Sequence, residues 1–319
     1  MTIDLLSTVT SATLYSAAPL IFAALGGIFS ERSGVIQIGL EGFMVFGAFS
    51  GIVTTLLLEE QLGVVTPWFA LLLSAIVCGL FSLLHATAAI TFKADQVVTG
   101  VAVNMIALGL SLFLVKQIFS GKGQTDFISY RLNKIDVPFL SDIPVIGPLF
   151  FTSVPWTSYL AVFLAFFVWI VMTRTIFGLR LRAVGEHPGA ADTVGINVVR
   201  MRYMGVILSG VFAGVGGAVF ALSISGNFST ITIAGQGFLA LAAMIFGKWH
   251  PLGTLLAALF FGFAQALSIS GPYIPFIQDL PSVVLTILPY ILTLVALTVF
   301  SRRSAAPGAL GQAYDKESR

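Results

Sequence analysis

The sequence predicts an all-α polytopic membrane protein of about nine transmembrane helices, and three observations support this fold class. Of the 319 residues, 57% are hydrophobic and only 9% are charged, with a mean hydropathy of +0.99. A soluble domain carries about 25% charged residues. The apolar residues form long runs, and about 20 such residues cross a bilayer core as a helix. The basic residues are concentrated between the runs, so the solvent of most of the chain is lipid.

Nine apolar runs are long enough, or nearly long enough, to be membrane spans, and the seventh is short. They are too long and too continuously apolar for barrel strands, so we expect helices. The N-terminus lacks the basic region of a cleavable signal peptide, so we expect the first run to be retained. The runs are 11–29, 35–58, 67–91, 98–119, 156–177, 202–225, 234–247, 251–270 and 282–300.

The distribution of basic residues predicts the orientation. If the Arg-rich loop 178–202 is cytoplasmic, twelve basic residues lie inside and three or four outside, as the positive-inside rule requires. We therefore expect the N-terminus outside and the C-terminus inside. The predicted organisation is one transmembrane domain over 1–303, with a cytoplasmic loop at 178–202 and an outer loop at 120–155. A mobile cytoplasmic tail is expected over 304–319.

Two segments of the chain resemble each other, VIQIGLEGFMVFGA around Glu41 and TITIAGQGFLALAA around Gln236. In the predicted topology they lie in spans of opposite direction. Inverted-repeat transporters place a substrate site near the midplane in this way. Chance similarity between segments of small residues is the alternative. The identities are Ile36/Ile231, Ile38/Ile233, Gly42/Gly237, Phe43/Phe238 and Ala48/Ala243.

Glu41 is the only acidic residue well inside an apolar run. Gly39 and Gly42 flank it, so we expect a broken second span that offers backbone groups to a ligand. Two interpretations stay open: Glu41 lines a transport pathway, or it forms a structural hydrogen bond to a neighbouring helix. The candidate substrate-pathway residues are Gln37, Glu41, Phe43, Asn104, Gln236 and Phe238.

The stretch Gly178–Arg202 is a polar interruption between two long apolar runs. Within it, Pro188–Val194 can form a helix of about two turns, because Pro188 suits the first helical position and Gly195 the residue past the end. The face over 189–191 is nearly bare, so the groove of another protein can approach the backbone. We expect a separate motor protein to grip this helix; an ordinary basic loop is the alternative.

The sequence lacks the familiar catalytic and phosphate-binding motifs. It contains no G-x-x-x-x-G-K-[ST] and no H-E-x-x-H, and its three histidines are scattered. The single cysteine, Cys78, provides neither a disulfide nor a cysteine-based metal site. These absences favour a chain that moves a solute without converting it, with no metal and no cofactor of its own.

Three stretches carry a family resemblance: SGVIQIGLEGFMVFGAF, then GLRLRAVGEHPGAADTVGI followed by MRYMGVILSGVFAGVGGAVFAL, then GQGFLALAAMIFGKWHPLG. Together they resemble the permease subunit of bacterial ATP-binding-cassette importers, in the branch related to ribose and branched-chain amino-acid permeases. The resemblance covers about residues 20–300. GVIQIGLEG and GKWHP are nearer to the nucleoside branch, which is linked to basic membrane lipoproteins.

The resemblance implies an ATPase-contact loop, often written E-A-A-x-x-x-G in the family. The segment 189–195 keeps both alanines and the glycine but has Gly189 where the acid would be, so Glu186 or Asp192 would have to replace it. The implied coupling residues are Glu186, Pro188, Ala190, Ala191, Asp192 and Gly195.

The resemblance also implies partners: a second permease chain of different sequence, an ABC ATPase that carries ATP and Mg, and an external substrate-binding lipoprotein. The expected location is the bacterial cytoplasmic membrane. Two alternatives remain: an ABC permease for sugars or branched-chain amino acids, and an ion-coupled secondary transporter that uses Glu41. A third interpretation, a scaffold subunit without transport activity, is the least favoured, because it does not explain the polar residues near the middle of the membrane.

Overall fold

The computed structural model describes residues 2–138, 141, 143–144, 146–270, 284, 287, 291 and 306–315. Nearly all of the regular structure in these residues is helical; the exception is one pair of two-residue antiparallel strands, Lys134–Ile135 and Val154–Pro155. The helices are α1 Thr2–Glu31, α2 Leu40–Leu62, α3 Thr66–Ala86, α4 Gln96–Ile118, α5 Ile146–Phe150, α6 Trp156–Arg174, α7 Ile176–Glu186, α8 Pro188–Thr193, α9 Val198–Phe220, α10 Gln236–Phe246 and α11 Pro251–Ser270.

Six segments of the described chain are long and apolar enough to cross a membrane, so the protein is a polytopic membrane protein. One of them, Leu40–Thr91, contains both α2 and α3. The shorter apolar helix α10 occupies the predicted seventh run. Eight of the nine predicted runs therefore coincide with helices, and the ninth, 282–300, lies outside the described residues except for three positions. The spans are Leu6–Glu31, Leu40–Thr91, Gln96–Ile118, Trp156–Arg174, Val198–Ser225 and Pro251–Ile269.

The core of the bundle is formed by α1 and α9, which pack against each other and against most of the remaining helices. Glycines within 210–217 of α9 allow this helix to approach α2 closely. A Cβ on Gly217 would lie 1.9 Å from the carbonyl oxygen of Met44, and one on Gly47 would lie 2.1 Å from that of Gly214. The two backbones are therefore in contact at this crossing.

The two ends of the bundle differ in charge. The basic end carries Arg32, Arg174, Arg180, Arg182 and Arg200, together with the short helices α7 and α8. The opposite end, which we call the loop end, carries the connection 119–155. That connection bonds to the segment after α9, where the Thr125 and Ile128 N–H groups donate to the carbonyls of Phe228 and Gly226.

The C-terminal segment differs from the mobile tail that the sequence predicts. Residues 306–315 lie packed against the basic end, and Ala309 is only 3% exposed. The N–H groups of Ala309 and Gly311 donate to the carbonyls of Gly185 and Gly34. The physical reason is steric: small residues let this backbone come within hydrogen-bonding distance of the bundle.

Candidate functional site at the helix breaks and the basic end

A non-helical segment, residues 35–39, precedes α2, whereas the sequence predicts a break around Glu41, which lies inside the helix. These residues are not helical, and only the last of them takes part in helical hydrogen bonding, since the Gly39 carbonyl accepts from the Phe43 N–H at 3.1 Å. Backbone groups away from water need partners. Side chains of other helices supply them: Gln96 Oε1 accepts from the Ile36 N–H at 2.7 Å, and His85 Nε2 lies 3.1 Å from the Ile36 carbonyl.

Asn104 of α4 joins the unwound segment to the first turn of α2. Its Oδ1 accepts from the Gly42 N–H at 2.7 Å, and its Nδ2 donates to the Ile38 carbonyl at 3.1 Å. A Cβ on Gly42 would lie only 2.8 Å from the Asn104 Cα. The glycine therefore permits the contact, and the amide satisfies one donor and one acceptor that the break leaves free.

Glu41 joins two helix N-termini. Its carboxylate accepts from the Gly235 N–H at 2.8 Å and from the Gly237 N–H at 2.7 Å, at the start of α10. Gly235 has φ +91°, which favours glycine. Because Glu41 also lies in the first turn of α2, the partial positive ends of both helices surround its carboxylate. This is the structural hydrogen bond to a neighbouring helix, one of the two interpretations that the sequence left open.

From this junction the two helices run to opposite ends of the bundle. At the end of α2, Glu59 accepts from the Ser129 N–H in the loop-end connection. Just beyond α10, the Trp249 Nε1 donates to Glu31 at the basic end. Glu41 is the second residue of α2 and Gln236 the first residue of α10, so both lie in the first turn of their helices.

The predicted pathway residues fall into two groups. Gln37 and Phe43 are completely buried, so neither borders open space in this conformation. Their partners explain this: Gln37 Nε2 donates to Ser209 Oγ at 2.9 Å, and the Phe43 ring packs edge-on against a neighbouring ring. The other group keeps some exposure: Phe238 is 49% exposed, and Glu41, Asn104 and Gln236 are half-buried.

Sequence reasoning missed a buried acid at the basic end. Glu31 is 4% exposed and accepts from Trp249 Nε1 at 2.5 Å and from the Gln37 N–H at 3.3 Å. Because Glu31 stands beside Arg32 at the end of an apolar run, it resembles an ordinary surface residue. The feature of the sequence that could have pointed to Glu31 is Trp249, because a buried indole N–H needs a hydrogen-bond acceptor.

The predicted basic-end helix is present as α8, Pro188–Thr193, one residue shorter than expected. Gly195, at φ +83°, ends it: the Gly195 and Ile196 N–H groups bond to the carbonyls of Asp192 and Ala191. Gly189 and Ala190 are exposed, but Ala191 is only 4% exposed. The bare face expected over 189–191 is therefore corrected: Ala191 packs inward, and Val194, 76% exposed, extends the outer face instead.

The segment that leads into α8 contacts the segment that leads into the broken second span. A Cβ on Gly185, near the end of α7, would lie 2.2 Å from the Arg32 carbonyl oxygen. Arg32 also pairs with Glu186 at 3.7 Å and donates from Nε to the Trp249 carbonyl at 3.1 Å. Burial lowers the pKa of Arg32 from its usual value, and the charge of Glu186 opposes that shift. The basic end therefore connects α7, the turn after α1 and the segment after α10.

Nothing in the described part of the chain forms a group of three or more His, Cys, Asp and Glu side chains suited to a metal ion. The arrangement has two other features. The exposed backbone at Gly189 and Ala190 can enter a groove of another protein. At Glu41, one carboxylate joins the N-termini of α2 and α10 through two hydrogen bonds.

The chain is similar to known proteins over nearly its whole length. Residues 9–297 match the family described as "Branched-chain amino acid transport system / permease component". The chain is 55% identical over 317 residues to the guanosine ABC transporter permease protein NupQ of Bacillus subtilis, covering 99% of both chains. It is 47% identical over 314 residues to the nucleoside ABC transporter permease protein NupC of Lactococcus lactis, covering 98% of both. A second guanosine permease protein of Bacillus subtilis, NupP, is 24% identical over 295 residues, covering 91% of this chain and 81% of its own.

Proposed function

Because the chain belongs to the family of branched-chain amino acid transport system permease components, we propose that it is the membrane permease of an ATP-driven importer for nucleosides. The observation that carries the substrate class is the full-length identity of 55% and 47% to two permeases whose names specify guanosine and nucleosides. ATP is hydrolysed on a separate ATPase chain, and a substrate-binding lipoprotein delivers the solute from outside.

We infer nine crossings of the bacterial cytoplasmic membrane, with the N-terminus outside and the C-terminus inside. Ser7 and Ser11 bond to the carbonyls of Pro148 and Ser153, which belong to the loop-end connection, so the chain starts at that end. Residues 306–315 lie at the basic end. An odd number of crossings follows from these two positions. The run 282–300 supplies the ninth, because α11 leaves the basic end and the chain has to return to it.

The domain organisation that we propose is one permease domain over 1–303, with the loop 178–202 in the cytoplasm and 120–155 outside. The opposed breaks before α2 and α10 support two inverted halves. The second permease of the importer is a different paralogue, since two guanosine permeases of Bacillus subtilis, NupQ and NupP, are both similar to this chain.

In the proposed mechanism, α8 inserts into the ATPase and moves when ATP closes that partner. Glu186, Pro188, Ala190, Ala191, Asp192 and Gly195 form this contact or shape it. Because Gly185 touches Arg32, displacement of α8 reaches the turn before residues 35–39 and then the junction at Glu41. ATP drives transport only if it favours one of the two permease conformations.

The solute path that we propose runs past the exposed side of that junction. Phe238 offers an aromatic face to a flat base, while Glu41, Asn104 and Gln236 offer polar groups beside it. Gln37 and Phe43 support this surface from behind and reach the path only when the junction rearranges.

The test of the proposed function is uptake of radiolabelled guanosine in a strain that lacks its own nucleoside importers and expresses this chain with its ATPase, second permease and lipoprotein. We expect guanosine uptake that excess unlabelled nucleosides abolish and that ribose or leucine leaves unchanged. Competition by ribose or leucine alone would contradict the nucleoside assignment. Uptake that continues after ATP is depleted while the ion gradient is kept would contradict ATP-driven transport.

The coupling role of α8 has its own test in the same strain. Ala190 is exposed, so Ala190→Arg changes the outer face of α8 without disturbing the buried Ala191. We expect this variant to reach the membrane at the unmodified level and to lose guanosine uptake, because the long charged side chain keeps the ATPase away from the backbone. Ala190→Ser keeps a small side chain and is the matched control. Equal uptake by the two variants would contradict the coupling role.

A further inference from the structure

Residues 306–315, which we call the C-terminal strap, lie across the basic end of the bundle and bond to three separate elements. The Ala309 N–H donates to the Gly185 carbonyl at 2.9 Å, and the Gly311 N–H donates to the Gly34 carbonyl at 3.1 Å. Arg202 of α9 donates from Nη1 to the Gln312 carbonyl at 2.8 Å. The strap therefore joins the end of α7, the turn after α1 and the base of α9.

Arg202 is the anchor of the strap. It is only 1% exposed although its side chain carries a charge. A Cβ on Gly34 would lie 3.0 Å from Arg202 Nη2 and 3.3 Å from the Ala309 carbonyl oxygen, so arginine, turn and strap meet at one point. A buried guanidinium is costly unless acceptors surround it. The Gln312 carbonyl of the strap accepts from Nη1, whereas the buried Nε and Nη2 have no hydrogen-bond partner, so the strap supplies the one acceptor that this guanidinium has among the described residues.

The ends of the strap are held more weakly. The Gly308 N–H donates to Glu186 Oε2 at 3.0 Å, and Lys93 Nζ lies 2.9 Å from Asp315 Oδ2. Both members of the Lys93–Asp315 pair are more than 40% exposed, and such pairs contribute little. The backbone bonds in the middle of the strap and the bond to Arg202 are therefore its main attachment.

The position of these attachments matters for transmission of force. Gly185 and Glu186 are the last residues of α7, one residue before α8 begins, and Gly34 immediately precedes the unwound residues 35–39. The strap bonds to both segments where they touch each other. We propose that the C-terminal strap, anchored by Arg202, is a positioning element of energy coupling, which holds these two segments together so that displacement of α8 moves the broken second span. This inference rests on the proposed function.

The first experiment uses the complete importer in proteoliposomes and measures ATP hydrolysis with and without guanosine-loaded binding lipoprotein. One variant ends after Ala305 and lacks the strap; the matched control ends after Asp315 and keeps it. We expect the control to match the unmodified importer. In the strapless variant we expect basal hydrolysis to persist, while the stimulation ratio falls by roughly 5-fold or more, the lower end of typical coupling effects. A ratio equal to that of the control would overturn the inference.

A second pair of variants keeps the full chain. It tests the coupling role of the strap even if the complex without the strap does not assemble. Arg202→Lys retains the charge but replaces the planar fork that reaches the Gln312 carbonyl. We expect a lowered stimulation ratio with unchanged assembly and basal hydrolysis. Lys93→Gln breaks only the exposed pair and should keep the full ratio. An unaltered ratio in Arg202→Lys would overturn the inference, because the anchor would then be dispensable.

A cross-link distinguishes a strap that stays in place from one that has to detach. Cys78 is the only cysteine and is completely buried, so Lys93→Cys with Asp315→Cys can be joined selectively by a short bismaleimide. We expect the cross-linked importer to keep its stimulated hydrolysis and uptake. Loss of both on cross-linking would overturn the inference. If the unmodified importer itself shows no stimulation by the loaded lipoprotein, the proposed function fails instead, which separates the two failures.

Discussion

At the scale of single residues, Glu41 determines how the two broken helices meet. Glu41→Gln replaces one acceptor by an amide N–H that faces a backbone N–H, so one of the bonds to Gly235 and Gly237 is lost. We expect a loss of about 1–2 kcal/mol of stability, the scale of a hydrogen bond to a charged group. The measurement is thermal unfolding of the purified importer in detergent, together with guanosine uptake, which we expect to fall.

The matched control for this prediction is Glu60→Gln on the same helix. Glu60 is exposed near the far end of α2, so the same chemical change should leave stability and uptake unchanged. If both substitutions have the same effect, the interhelical role of Glu41 is wrong. If Glu41→Gln stabilises the protein and retains uptake, the negative charge of Glu41 is not what holds α2 and α10 together.

The residue scale also shows where sequence reasoning stopped. Glu41 could be singled out because an acid inside an apolar run is rare, and one of the two interpretations weighed for it describes the observed bond. Gln37 and Phe43 could not be separated from Phe238, because burial depends on which helix stands opposite. Glu31 was missed since its partner, Trp249, lies 218 positions away in the sequence.

At the scale of elements, α8 depends on its C-terminal glycine. Gly195 has φ +83°, and a Cβ there would meet nothing within 4 Å, so the effect of Gly195→Ala is conformational and not steric. A left-handed residue with a side chain costs about 1–2 kcal/mol. We expect Gly195→Ala to unwind the end of α8 and to reduce stimulation of ATP hydrolysis by the loaded lipoprotein, without lowering the amount of importer in the membrane.

Gly189→Ala is the opposite change in the same helix. Its Cβ also meets nothing within 4 Å, but its backbone is helical, so alanine should favour α8 by about 1 kcal/mol. We expect full uptake from this variant. Reduced uptake in Gly189→Ala together with full uptake in Gly195→Ala would contradict the account of α8 as a helix whose end has to be fixed.

The positions of the helices could be predicted where hydropathy or helix-end residues in the local sequence determine them. Hydropathy located eight described helices, and Pro188 with Gly195 delimited α8 to within one residue. The unwound residues 35–39 were misplaced by a few positions. Their backbone partners are side chains of α3 and α4, such as His85 and Gln96, which no local pattern connects to them.

At the scale of the whole molecule, the charge difference between the two ends predicts the orientation in the membrane. The loop 120–155 has equal numbers of acidic and basic residues, whereas the basic end carries the Arg-rich segment 178–202, and basic segments remain in the cytoplasm. Residues 306–315 form hydrogen bonds at the basic end. Ser7 and Ser11, near the start of α1, form theirs at the loop end. The start of α1 and residues 306–315 therefore lie at opposite ends of the bundle.

Cysteine labelling in intact cells tests this choice. Cys78 is completely buried and is the only cysteine, so the unmodified chain should not react with a membrane-impermeant maleimide. Lys122 is exposed at the loop end and Arg180 at the basic end. We expect Lys122→Cys to be labelled in intact cells and Arg180→Cys only after the membrane is permeabilised. The reverse pattern would place α8 outside the cell, where no ATPase can reach it, and would contradict ATP-driven import altogether.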